Sequence, residues 1–582
     1  MQVIIVQISK YVLLFLMALF TVTSFFTLGK KDTEKLRARG NSSLVIIIIF
    51  DLFAFLVLYL QSREFQMFLI LGGLLLYIVL IQLLYRLIYR KASLALLNNM
   101  CMLLSIGFVI QSRLGIDTAV RQLIIVAISS AICLIIPVII RRVKTMRNLG
   151  WVYAVLGILL LGAVFVFGRL SGGANLSVTI GGVSFQFSEF VKITFVFFIA
   201  SMLKNDVSFR RVVLVSVLAA IHVIILVLSR DLGAALIFFV AYIVMVSVAT
   251  KKLRYSLLGL GGMAVASVAA YKLFAHVRVR VQVWLDPFQD YEGTGYQIVQ
   301  ALFGVCAGGW FGTGLFEGNP EMIPLAKEDF TFAAICEEMG ILFGICLIFL
   351  CMSMFLLIVS MSTRLSNRFY RLVSIGLGAE YAFQVFLTIG GTTKFIPMTG
   401  ITLPLVSYGG SSVMCTIIML SIIQGLFMIR EDEDEEHEVL EELIRRQNEK
   451  ERQMNRQRRE TGGRGNTRLF SGFTQSRRQT APRGAGRNRN TQGYPERRNP
   501  NSAGRTNPGS HSGQMNQGTH PAGSSGRPFP PLDSSAQSSK GRQELEEALD
   551  DLNANAPSEK KDVNLDDLSR KIEDETEKSL NY

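Results

Sequence analysis

From Val3 to Ile429 the chain alternates long apolar runs with short polar breaks, and beyond that point it is polar almost throughout. Apolar runs begin near residues 3, 43, 66, 94, 121, 150, 189, 211, 232, 255, 332, 372 and 410. Each has roughly the 17–25 apolar residues a helix needs to cross a bilayer. The pattern predicts about thirteen transmembrane helices and an all-α integral membrane protein, because a spanning segment must close its backbone hydrogen bonds internally. Val3 to Leu28 lacks a basic leader and a small-residue cleavage pattern, so it reads as a first span and not a signal peptide. One insert stands apart in length and polarity, the Gly-rich stretch 275–331.

Charge orders these runs. Lys and Arg cluster at 30–39, 86–91, 141–147, 210–211, 251–254 and 364–371, which are alternate loops throughout. By the positive-inside rule these loops are cytoplasmic. The N-terminus is then outside, the tail from Arg430 is inside, and 170–188, 275–331 and 391–409 face the exterior. Composition agrees with a membrane domain: 50% of the 582 residues are hydrophobic, with 39 Phe against 3 Trp. Residues 431–460 predict a charged juxtamembrane helix. Residues 461–582, basic and then acidic, have too few apolar side chains to offset chain entropy, and a disordered cytoplasmic tail is expected. The basic part supplies most of the net charge of +14. It has no interleaved stacking aromatics, so no nucleic-acid partner is expected. The seven Cys form no CxxC pair, and Cys306 in the outer loop is expected to pack rather than react.

Ionisable residues near the spans gather on the outer side. Glu189 and Lys192 are three apart on one helix face and can pair. Arg230 and Asp231 occupy a turn between two spans, Asp329, Glu337 and Glu338 open the helix after the large insert, and Lys394 lies in the last outer loop. A carboxylate where a long loop re-enters a bilayer is costly, which singles out Asp329. Such a mixed-charge cavity suits a lipid-linked sugar pyrophosphate, with cations on the phosphates and a carboxylate taking a proton from an attacking hydroxyl. The same carboxylate could instead hold a divalent cation, Mg or Mn, against the pyrophosphate. Ion pairs that only fix helix ends are the plainer alternative for Glu189/Lys192 and Arg230/Asp231. His222 and Glu380 sit deeper and read as packed polar groups, and the glycines of 304–314 as turn and close-packing residues.

Several motifs stand in order along the chain: Gln186-Phe187-Ser188-Glu189 with Lys192, Asp231-Leu232-Gly233, Trp284-Leu285-Asp286-Pro287, Gly293-Thr294-Gly295-Tyr296-Gln297, Asp329-Phe330 and Ile396 to Ser412. Together they resemble the SEDS family, the RodA/FtsW/SpoVE cell-wall glycosyltransferases. The resemblance runs from about Asn98 to Ile429. It implies a ten-helix core, residues 94–430, preceded here by about three extra helices, 1–93, in a bacterial cytoplasmic membrane. It also implies polymerisation of lipid II on the outer face during division or elongation, with undecaprenyl pyrophosphate as leaving group. Asp329 matches the family's essential aspartate, and Glu189 and Lys192 its Glu-x-x-Lys pair. Implied partners are lipid II, the undecaprenyl-pyrophosphate-linked glycan, a class B penicillin-binding protein and, through the tail, cytoplasmic division or elongation proteins. Three departures stand out: Phe187 for a usual Pro, Ser177 for a Trp, and Ser229-Arg230 for Gln-Pro. A lipid II flippase, or a scaffold that activates a transpeptidase, remains the alternative.

Overall fold

The computed structural model describes residues 2–27, 33–167, 169–171, 174–180 and 183–462. Three helices come first, α1 (Gln2–Phe26), α2 (Thr33–Ser62) and α3 (Gln66–Ile88). They are followed by α4 (Leu94–Leu114), α5 (Ile116–Cys133), α6 (Ile136–Arg142) and α7 (Gly150–Phe167). A small antiparallel sheet intervenes, β1 (Arg169–Ser171), β2 (Ala174–Ile180) and β3 (Val183–Phe185). The chain then continues through α8 (Phe187–Leu203), α9 (Phe209–Leu228), α10 (Leu232–Thr250) and α11 (Leu253–Leu273). The polar insert forms α12 (Ala275–Leu285) and α13 (Tyr296–Gly308), and α14 (Thr331–Met339), α15 (Ile341–Arg364), α16 (Arg368–Thr392) and α17 (Gly410–Gly462) complete the fold.

Eleven of the helical segments are long and apolar enough to cross a membrane. The shorter α7 and α8 pack along one another and also run between the two ends of the bundle. Helices therefore stand where all thirteen apolar runs lie, and the protein is a multi-pass, all-helical membrane protein. The sheet is an addition that the hydropathy pattern did not reveal. Asp231 caps α10 by accepting from Ala234 N, and Asn367 caps α16 by accepting from Phe369 N. These side chains satisfy N–H groups that a helix start leaves open.

Loop contacts sort the chain into two ends. Lys91 and Arg141 meet Asp432, Lys204 donates to Arg147 O, and Arg368 donates to Ala249 O. The breaks after α3, α6, α8, α10 and α15 thus gather at a basic end with the start of the polar part of α17. At the opposite end, Gln61 reaches Glu317, Arg113 reaches Glu321, and Trp284 donates to Lys394 O. The chain divides into a unit Met1–His437 and a second from Glu438, of which the described part is the end of α17. The expected disordered tail lies, beyond its first two residues, outside the described residues.

The three leading helices pack on the core through polar as well as apolar contacts. Ser24 of α1 donates to Asn99 of α4 at 2.9 Å, Ser105 of α4 donates to the buried Asp51 of α2 at 2.9 Å, and Tyr77 of α3 meets Ser130 of α5. Between helices in lipid such bonds supply orientation that apolar contact does not.

The segment expected to be one helix from about residue 332 is two, broken at Gly340, whose φ is +90°. Residues 309–314 fold against this break: Thr313 N and Gly314 N donate to Glu337 O and Glu338 O, and Ile341 N donates to Gly309 O, each at 2.9 Å. A Cβ on Gly312, also at positive φ, would come within 2.2 Å of Glu338 O, so only glycine allows the approach. Glu337 and Glu338 consequently end α14 and do not begin the spanning helix.

Candidate functional site

Asp329 sits in the last turn before α14, and the chain on both sides of it is tied down. Lys327 O accepts from Gln111 Nε2 of α4 at 2.9 Å and from Tyr408 N at 2.8 Å. Asp329 O accepts from Thr392 Oγ1 of α16, and Thr331 Oγ1 accepts from Ser407 Oγ. The loop 393–409 therefore fixes the aspartate's backbone, while its side chain is only partly covered. Burial, reinforced by the neighbouring Glu328 charge and opposed by Arg280, pushes the Asp329 carboxyl up to about 6.

Arg280 of α12 is the cation of this site that the sequence did not single out. It donates to Met398 O and Thr399 O, both at 3.3 Å. Burial pulls its guanidinium below the usual value, and the carboxylates of Asp231 and Asp329 act against that pull. One arginine thus lies within electrostatic reach of two aspartates from different parts of the chain, without an ion pair to either. The sequence did carry a signal, Arg278 and Arg280 in the alternating stretch after α11. Helical residues two apart point to different faces, so only the packed structure tells which one faces in.

A second group of side chains lies behind the first. Lys192 Nζ is 2.8 Å from Glu189 Oε2 and donates to Gln384 Oε1 at 2.8 Å, and both members of the pair are buried. Gln384 in turn donates to Thr402 O, in the same loop that accepts from Arg280. Glu380, one turn earlier on α16, is buried as well and adds a second carboxylate to the surroundings of this ammonium. Asp231 accepts from Ser188 Oγ at 3.1 Å, which joins the start of α8 to that of α10.

The remaining candidates occupy the rim. Lys394 donates to Leu285 O and its carbonyl accepts from Trp284, so it clasps the end of α12. Arg230 is exposed on the α9–α10 turn with φ +63°. Proline, fixed near −65°, cannot adopt that conformation, so the Ser229-Arg230 departure is a different turn and not only a different side chain. Arg230→Pro is expected to lower the unfolding temperature markedly in a detergent melt, with a cost on the order of 3 kcal/mol. Phe187 is the first residue of α8, a position where the N–H has no helical partner anyway, so loss of a proline there removes nothing from the helix. Ser177 lies on β2, where only the backbone pairing is described, opposite Arg169.

Glu338 does not join Asp329. Its Oε1 accepts from Arg113 Nε at 2.7 Å and from Phe316 N at 3.1 Å, and Arg113 also pairs with Glu321 and lies 4.2 Å over the Phe316 ring. This buried knot braces the loop that leads to Asp329. His222 packs between Phe195 and Phe198. Cys306 is exposed on α13, where packing was expected. Among the described residues no three His, Cys, Asp or Glu side chains form a metal cluster.

The fold and site define a polytopic membrane protein with a cluster of charged side chains at one end, held by the loops around Asp329. Residues 85–431, more than half of the chain, match the model of the FtsW/RodA/SpoVE family, described as cell cycle protein, and the chain belongs to that family. It is 39% identical over 269 residues to the peptidoglycan glycosyltransferase RodA of Mycobacterium tuberculosis, covering 43% of this chain and 57% of that one. Stage V sporulation protein E of Bacillus subtilis is 30% identical over 44% of this chain and 72% of its own. The chain thus spans less than two thirds of the length of this Mycobacterium tuberculosis relative. A solved structure described as the structural coordination of polymerization and crosslinking by a peptidoglycan synthase complex is similar over 58% of this chain and 98% of its own, with 25% identity and TM-score 0.51.

Proposed function

We propose that the protein polymerises lipid II into glycan strands at the Asp329 end of the bundle, which faces the exterior. The observation that carries this reading is a partly buried carboxylate, raised to about 6, held by fixed backbone beside Arg280. A base poised near the working pH can accept a proton without being protonated at rest. The acceptor hydroxyl of lipid II attacks the anomeric carbon of the strand, Asp329 takes the hydroxyl proton, and the bond to undecaprenyl pyrophosphate breaks. Arg280 and Arg230 meet the pyrophosphate as its charge grows, with Lys394 at the rim. Glu189, Lys192 and Asp231 hold the floor: the Lys192 charge is already matched, and its bond to Gln384 sets the loop on which Arg280 rests. The names of the mycobacterial relatives support the same activity.

Among the described residues a divalent cation, Mg or Mn, finds no protein-built cage, but one carboxylate shared with substrate phosphate is a common magnesium arrangement. In the alternative to its role as base, Asp329 would hold it, and it would neutralise leaving-group charge. A class B penicillin-binding protein is the proposed partner, as the synthase complex similar in fold suggests, and cytoplasmic division or elongation proteins are proposed to meet the tail.

Purified lipid II incubated with the native chain, with and without the transpeptidase and with divalent cation or chelator, tests the reading. Glycan strands on a gel support it; lipid II appearing across a vesicle wall without strands would favour the flippase instead. In the same assay Arg280→Ala is expected to cut the rate about a hundredfold, and Arg280→Lys to recover part of it.

A further inference from the structure

At the basic end, at the opposite ends of the helices α8 and α16 from the site above, the 3-10 turn Lys144–Asn148, the end of α8 and the start of α16 enclose a cavity of about 420 Å3. Lys144, Arg147, Lys204 and Arg368 line it with three asparagines and Phe369, and no carboxylate is among its lining residues. Four cations in one hollow repel each other, and among the described residues none of the four forms an ion pair with a carboxylate. Burial and the neighbouring Arg147 charge both draw the Lys204 ammonium below its usual value. The Arg147 guanidinium lies 5.1 Å over the Tyr370 ring, and its buried Nε has no hydrogen-bond partner among the described residues.

The hollow is nonetheless built rather than loose. Arg147 O accepts from Ser201 Oγ and from Lys204 Nζ, Lys204 also reaches Asn148 Oδ1, and Arg368 is anchored on Ala249 O. These bonds use carbonyls and amides only, so the positive charge is oriented but unmatched. Trp151 and Phe209, 53% and 69% exposed, stand on the first turns of α7 and α9, the helices that lead into the membrane from the two sides of this region. A tryptophan such as Trp151 at that level marks the boundary of the hydrocarbon, and Phe209 continues the apolar surface of α9.

We propose that this cavity binds the phosphate of an anionic glycerophospholipid headgroup in the leaflet at the basic end, with the acyl chains along the exposed apolar surface of α7 and α9. A basic pocket between helix ends at this depth has the chemistry for such a headgroup, and each cation near the surface contributes roughly fivefold in affinity. The site is separate from the cluster at Asp329 and would tie the protein to anionic lipid whatever that cluster does.

The test uses the full chain in neutral detergent, titrated with short-chain phosphatidylglycerol, with phosphatidylcholine, and with inorganic phosphate, binding being read by thermophoresis. Phosphatidylglycerol is expected to bind at least about tenfold more tightly than phosphatidylcholine. The double variant Arg147→Gln/Lys204→Gln should lose about twenty-five-fold at fivefold per cation, and the exposed Lys144→Gln, which disturbs no bond described above, about fivefold. Lys252→Gln, exposed on another loop at the same end, should bind as the native chain does. Equal affinity for the two lipids, or unchanged phosphatidylglycerol binding in both pocket variants, would overturn the proposal. So would inorganic phosphate, or a soluble peptide of residues 543–582, occupying the pocket as tightly as the lipid.

Discussion

Asp329→Asn is expected to abolish glycan-strand synthesis, lowering the rate by roughly a thousandfold or more, while raising the unfolding temperature of the protein. A general base contributes about 10²–10⁴ in rate, and asparagine keeps the size of the side chain but cannot accept the proton. The stability gain follows from the same cause as the reactivity. The Asp329 carboxyl is raised to about 6 in the folded protein, against roughly 3.9 in an unfolded chain, so the fold prefers its neutral form. Stability is then lost as pH rises from about 4 to about 6, and the loss is complete above that. Discounted for partial exposure, it is on the order of 2 kcal/mol at neutral pH, and asparagine avoids it. Melting curves of both forms should separate at pH 7.5 and converge near pH 4. In the native chain the proposed polymerisation should rise in rate with pH along a limb centred near 6. A variant that loses activity and also melts earlier would point to a structural aspartate instead.

Removing one partner of the Arg113–Glu338 pair should produce the largest loss of stability. Both side chains are almost wholly enclosed, at 5% and 0% exposure. Glu338→Ala would strand the arginine against its remaining partner Glu321 and release Phe316 N. Breaking a buried pair from one side costs about 3–5 kcal/mol, and because the arginine keeps Glu321 and Gly318 O the expected loss is about 3 kcal/mol. The Arg113→Met/Glu338→Leu double variant should regain most of that loss, since burying neither charge removes both desolvation costs. Thermal unfolding in detergent checks the cycle. Glu338→Ala should also slow polymerisation, as the loop it braces carries Asp329; full activity in a destabilised Glu338→Ala would separate the brace from the site.

The crossings were legible because hydropathy is a local property: any run of sufficient length and greasiness must cross or be buried, whatever surrounds it. The alternation of basic loops was equally local, and the contacts of Lys91, Arg141 and Arg368 at one end repeat it. Glu189 and Lys192 could be paired on paper because helical spacing alone puts them on one face. The break at Gly340 was not legible, since Ala333 to Phe343 is apolar enough to continue a helix, and only the backbone of 309–314 pressed against it requires the turn. Ser229-Arg230 was visible as a departure, but its left-handed turn was not.

By itself, then, the sequence determined where the membrane-crossing runs lie and in what order, the charge of their ends and the carboxylates available for chemistry. The tertiary structure decided which charges meet. Arg280 comes within electrostatic reach of both Asp231 and Asp329, Glu380 of Lys192, and Glu338 bonds Arg113 across 225 positions of chain, away from the aspartate nine residues before it. The physical reason is that a helix in lipid gains little from apolar contact with one neighbour over another, so its rotation is set by close packing and a few buried polar bonds. Those bonds join residues far apart in the chain, and no periodicity within a single helix records them.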